Sequence, residues 1–203
     1  MNIKKQIRLF SLVIVLLSLV AVTGSVFASR FNKYQPDPYL TRLALQADDF
    51  PEGSESQESG ILTKSDMSHP LNMKTSLVEK VPMVSEYQTG YNSEGIVPSG
   101  DGVVYVGNYL YRYATAEQAK IVTTVMSEDV ANSGGTNLDT IAPGAKSGIS
   151  GQTIAIASEQ GDITYWFIGV KENVLILLVV NGLPEPTSAI HETFSMYLEK
   201  LLE

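Results

Sequence analysis

Few side chains in this chain could carry chemistry. Of its 203 residues two are histidines, His69 and His191, and none is cysteine. That excludes disulfides, thiolate metal sites, Cys nucleophiles and lipids attached through a thiol. His69 sits beside Pro70 and His191 precedes Glu192, with no H-x-x-x-H and no H-E-x-x-H anywhere. Adjacent residues on a helix point about 100° apart, so His191 and Glu192 do not chelate together. There is no G-x-S-x-G and no S-x-x-K, and Pro143–Gly148 lacks the G-x-x-x-x-G-K spacing that cradles phosphate. The acidic residues Asp48, Asp49, Glu52, Glu55 and Glu58 lack the alternating register of a calcium loop and read as a solvated edge. No metal, cofactor or catalytic residue is implied.

One pattern stands out. Tyr105, Tyr109, Tyr111 and Tyr113 fall on one face of a strand by the period of two, with Gly107 the gap among them. Val104, Val106 and Leu110 fall on the other face with Asn108 and Arg112. Tyrosine joins a rigid apolar body to a polar tip, so an open row of four suits sugar rings, peptides or a protein partner. The same row could instead cover the sheet or pack beneath a helix, because tyrosine is a favoured strand residue. Gly107 would be a bulge or a shallow pocket floor.

The elements that must position this row begin well inside the chain. Lys4, Lys5 and Arg8 precede an apolar run, Leu9 to Val22, and small residues end at Val26-Phe27-Ala28. Residues 1–28 thus read as a signal peptide cut after Ala28, or as an uncleaved membrane anchor, since Leu9 to Ser29 carries no charge. Either way the positive-inside rule places the rest outside the cytoplasmic membrane, secreted or anchored, and any membrane contact runs through residues 9–28. Removing the leader leaves 11 Lys and Arg against 22 Asp and Glu, a net −11 over 175 residues. Such a surface repels phosphate backbones and anionic headgroups, which argues against nucleic acid and peripheral lipid as partners.

Residues 29–36 read as a tether and 37–203 as one domain. Asp37 caps a helix with Pro38 at its first position, and Leu40, Leu43, Ala44 and Ala47 give it one apolar face up to Phe50-Pro51. Glu52 to Gly60 reads as a mobile acidic loop, and 61–84 shows no winning period. Strands are expected at Val84–Tyr91 and Val103–Tyr113, joined by a turn at Pro98–Gly102. A helix follows with Thr115 and Gln118 as a capping box and Ala119, Val122 and Met126 on one face. Thr136 to Ser150 reads as a long loop. Gln152–Ser158, Asp162–Val170 and Asn173–Asn181 are separated too briefly for parallel crossovers and must form an antiparallel meander. Val174–Val180 is apolar throughout, so that strand should lie mid-sheet. Leu183 to Pro186 breaks it before a last helix, about 187–202, with Ile190, Phe194, Tyr197, Leu198 and Leu201 as its stripe.

The order predicts an α+β domain: an antiparallel sheet of about five strands, helices packed mainly on one face, and a closing three-strand meander followed by a helix. Leu43–Gly53 (LALQADDFPEG), Tyr111–Ala119 (YRYATAEQA) and the closing strand pair with its helix resemble a loose group of exported or lipid-anchored bacterial domains of unknown function. The resemblance spans about residues 38–203. It departs at Ser54, where an aromatic often follows the Pro-x-Gly turn, and it implies no activity. The expected role is non-catalytic binding or sensing at the cell envelope, with an envelope protein or cell-wall component as partner. The alternatives are a cofactor-independent hydrolase using carboxylates and a structural or assembly protein.

Overall fold

Seven apolar residues in a row can be sheltered only if both faces of their strand are covered, and the architecture is organised around Val174–Val180. The computed structural model describes residues 36–62, 87–141, 147–157, 161–182 and 188–203, which fall in one unit, Pro36–Glu203. The leader (1–28), the tether up to residue 35, His69, nearly all of 61–84, residues 143–146 and the strand breaker at 183–186 lie outside the described residues. In chain order the elements are α1 (Pro38–Leu43), a 3-10 turn (Ala47–Asp49), β1 (Glu55–Leu62), β2 (Tyr87–Ser99), β3 (Gly102–Tyr113) and α2 (Ala116–Asn132). After these come β4 (Thr136–Ile141), β5 (Ser150–Ala157), β6 (Ile163–Lys171), β7 (Val174–Gly182) and α3 (Ser188–Leu202).

The strands form one sheet in the order β1-β2-β3-β7-β6-β5-β4, antiparallel at every junction. The class is α+β, but the expectation of about five strands is corrected to seven. The two additional strands are the edges. β1 occupies most of the stretch read as a mobile acidic loop, and β4 opens the stretch read as the long loop 136–150. Their sequences, ESQESGIL and TNLDTI, are polar with little alternation, because an edge strand meets water along one side and is held by a single neighbour. Register shifts interrupt both edge pairings, between Ser56 and Glu58 and between Asn137 and Asp139.

The placement of helices mainly on one face is corrected as well. α3 lays Ile190, Phe194, Tyr197 and Leu201 on one face, joined by Leu40 of α1, over Val104, Val106, Leu110, Ile176, Leu178 and Val180. α2 covers the other face with Ala119, Val122, Met126 and Val130, over Tyr109, Tyr111, Tyr113, Leu175, Leu177 and Val179. Odd and even residues of β7 thus enter different cores, as the period of two requires when neither face is wet. α2 starts where expected: the Thr115 hydroxyl accepts from Gln118 N–H at 3.2 Å and the Gln118 side chain accepts from Thr115 N–H at 3.0 Å.

α1 is shorter than its periodicity suggests. After Leu43 the chain turns extended at Ala44, ψ 152°, and Leu45 N–H donates to Asn108 Oδ1 at 3.0 Å, while Asn108 Nδ2 donates to the Leu177 carbonyl at 3.0 Å. Asn108 is fully buried, and these bonds satisfy an amide that would otherwise be costly there. None of the described helices is long and apolar enough to cross a membrane.

Candidate functional site

β2 and β3 form a long hairpin closed by Gly100 and Asp101 between the paired Ser99 and Gly102. Gly100 has φ 59°, a left-handed value that suits glycine at the first position of a two-residue hairpin loop. The register sets Asn92, Glu94 and Ile96 opposite Tyr109, Gly107 and Tyr105, so these six residues share the face that carries α2.

The structure divides the tyrosine row. Tyr113 and Tyr111 are enclosed under α2, Tyr109 is 5% exposed, and Tyr105 is half-buried. The inner part of the row is therefore core, and only its outer end reaches an accessible surface. Gly107 sits in regular register rather than in a bulge. A Cβ there would come within 2.7 Å of Tyr109 Cε2 and 2.8 Å of the Tyr105 hydroxyl, so the two rings close over the glycine and their hydroxyls meet above it.

A polar network grows from that meeting point. Tyr105 donates to Glu94 Oε2 at 2.7 Å, and Asn92 Nδ2 donates to Glu94 Oε1 at 2.5 Å. The Tyr105 and Tyr109 hydroxyls are also bonded to each other. Burial, the bond with Tyr109 and the Glu94 carboxylate all push the Tyr105 phenol far above its ordinary value. Burial pushes Tyr109 up to about 12; its bond to Tyr105 acts the other way, and the Glu94 charge adds to the rise. Both phenols are neutral donors at physiological pH, unsuited to serve as bases or nucleophiles.

Toward the end of the sheet beyond Gly107, the next cross-strand row reads Ile96, Tyr105, Asn181, Thr164 and Ile156. All five are half-buried, and Asn181 Nδ2 donates to Thr164 Oγ1. Glu94, Asn92, Asn181 and Thr164 are the members that the sequence reading missed. Ending the strand at Tyr91 hid Glu94, yet pairing the hairpin backwards from the Pro98–Gly102 turn would have set it opposite Gly107.

Several other polar residues among those described hold structure. Asp37 caps α1 through Tyr39 N–H at 2.9 Å and pairs with Arg112 Nη1 at 2.5 Å, while the Tyr39 hydroxyl donates to Glu172 at 3.1 Å. Of the acidic cluster, Asp49 accepts from Gln46 N–H at 2.6 Å, closing the 3-10 turn, and its carbonyl accepts from Lys200 at 2.8 Å. His191 is exposed, with its ring 5.4 Å from that of Tyr165. Among the described residues no three acidic or histidine side chains are placed to share a metal ion.

No family model matches the sequence, and no curated protein matches it. Among solved structures the chain is similar to the extracellular domain of PknH from Mycobacterium tuberculosis, with a TM-score of 0.51 at 12% identity, covering 83% of this chain and 97% of that one. At that identity the likeness is one of fold: the chain is built like an extracellular bacterial domain.

Proposed function

We propose that this protein is a non-catalytic binding or sensing domain that works outside the cytoplasmic membrane, with its contact surface at the corner formed by Glu94, Tyr105 and Tyr109. The observation that carries the reading is the bonded set itself: a half-buried carboxylate organised by Asn92 and Tyr105, with neutral phenols behind it. Such a group is held ready to accept hydrogen bonds, and nothing bonded to it is poised as a base or nucleophile. The fold shared with a domain that is extracellular by name supports the location, as does the leader. The partner is an envelope protein or a cell-wall component.

Two measurements test this. Mass spectrometry of the mature chain, with protease accessibility in intact cells, should find residues 37–203 exposed outside; protection of the domain would reject the location. Purified full chain should be retained by isolated cell envelopes, and Glu94→Gln, which keeps the shape and still offers Tyr105 an acceptor, should weaken retention at least fivefold with an unchanged denaturation midpoint. Equal retention of wild type and variant would reject the corner as the contact surface.

A further inference from the structure

The outer row beside Glu94 has hydrogen-bonding capacity that the fold does not use. Among the described residues one oxygen of Glu94 accepts from Asn92 and the other from Tyr105, with the Tyr109 hydroxyl beside them, and a carboxylate has about four acceptor positions. Asn181 gives one N–H to Thr164, which leaves its Oδ1 and its other N–H uncommitted, and the Thr164 hydroxyl keeps its own proton. These groups are half-buried. One row inward, Val179 and Trp166 are buried, beneath the face that α2 covers.

Charge and shape narrow what could use them. Among the described residues no Lys or Arg stands in the row or in either row beside it, and the registers of Arg112 and Lys171 put both on the opposite face. A phosphate or carboxylate ligand would thus meet Glu94 without a compensating cation. On the outer side of the row Pro98 pairs with Val103; both are exposed, Val103 to 60%, and they form an apolar border next to Ile96. Tyr105, Asn181 and Thr164 occupy three adjacent strands, so one polar side chain recurs about every 4.8 Å across the sheet. That interval is close to the rise per sugar of an extended β-linked glycan, whose ring faces are apolar and whose edges carry hydroxyls.

We infer that this row is a subsite for an extended, uncharged, hydroxyl-rich glycan lying across β2, β3, β7 and β6, with Glu94 accepting from adjacent hydroxyls at one end. The inference rests on the binding reading above and names its ligand class. Calorimetric titration of the full chain with tri-N-acetylglucosamine, a neutral β-linked trimer, tests it against maltotriose, an α-linked trimer that curves. Saturable binding of the first should exceed that of the second at least tenfold. Glu94→Gln and Thr164→Val should each weaken it at least fivefold with an unchanged denaturation midpoint, while Lys171→Gln on the opposite face leaves it unaltered. No saturable binding of the β-linked trimer, or equal binding of the two, would overturn the ligand class; if envelopes still retain the chain through Glu94, the binding reading survives that loss. Binding of the β-linked trimer that ignores Glu94 and Thr164 would overturn the placement.

Discussion

The contact between Tyr105 and Tyr109 exists because residue 107 has no side chain. An alanine there puts a carbon 2.7–2.8 Å from the two tyrosine tips, inside van der Waals contact, so the rings must part and the bonds to Glu94 must stretch. Gly107→Ala should cost roughly 1–3 kcal/mol, the usual range for overpacking, read by chemical denaturation. The phenols also tie stability to alkaline pH. Tyr109, its folded value raised to about 12 from an ordinary 10.0, keeps its proton in the folded chain over a range where the unfolded chain has lost it. Its contribution is fully present below pH 10 and disappears as pH rises from 10 through about 12. The denaturation midpoint should fall across that window, and Tyr109→Phe should flatten the fall; an identical alkaline limb in wild type and variant would show that Tyr109 is not held neutral. The period of two was enough to find the tyrosines, since alternation is local. Whether α2 covered them depended on where a helix 17 residues long would land, which no local pattern records.

Elements were legible in proportion to how much of them is buried. The five strands expected from sequence correspond to the five inner strands, and the two that went unread, β1 and β4, are the edges. An inner strand is selected for shape on two flanks and at least one face, whereas an edge such as TNLDTI is held mainly by backbone bonds that any sequence can make. Hydrogen exchange should show the difference, with β1 and β4 amides exchanging well before those of β7; uniform protection across the sheet would contradict it. α1 depends on one side chain in a comparable way. Burial alone would raise the Asp37 carboxyl, but Tyr39 N–H and the Arg112 guanidinium outweigh it and hold the group below its ordinary 3.8. A depressed carboxyl stabilises the fold above its unfolded value, and that stabilisation is lost as pH falls below 3.8 through the folded value. Asp37→Asn keeps the cap, because an amide oxygen also accepts from Tyr39 N–H, but loses the ion pair with Arg112, so it should lower stability by roughly 0.2–1 kcal/mol at neutral pH and by progressively less in acid. A pH-independent deficit would assign its role to shape rather than charge.

At the scale of the whole molecule the sheet is a partition with a separate apolar core on each side, and β7 is the element common to both. Ile176 faces α3 and Leu177 faces α2, each fully buried. Ile176→Asp and Leu177→Asp would bury a carboxylate without a partner on opposite sides of the same strand, and each should leave the chain unfolded. A subtler variant asks whether the two cores melt together. Trp166, the only tryptophan in the chain, is 8% exposed on the α2 side, whereas Phe194, 3% exposed, belongs to the α3 side. Phe194→Ala should cost roughly 3–5 kcal/mol through the cavity it leaves. Because Phe194 stacks on Tyr165 at 5.3 Å, and Tyr165 is the neighbour of Trp166 on β6 with its side chain on the opposite face, the loss should lower the midpoint seen by Trp166 fluorescence as much as that seen by far-UV circular dichroism. Coincident transitions are the mark of one cooperative unit. A Trp166 transition left in place while the dichroism midpoint falls would mean that the two faces fold independently. The Glu94 corner, on the α2 side, would then keep its geometry with the α3 side undone.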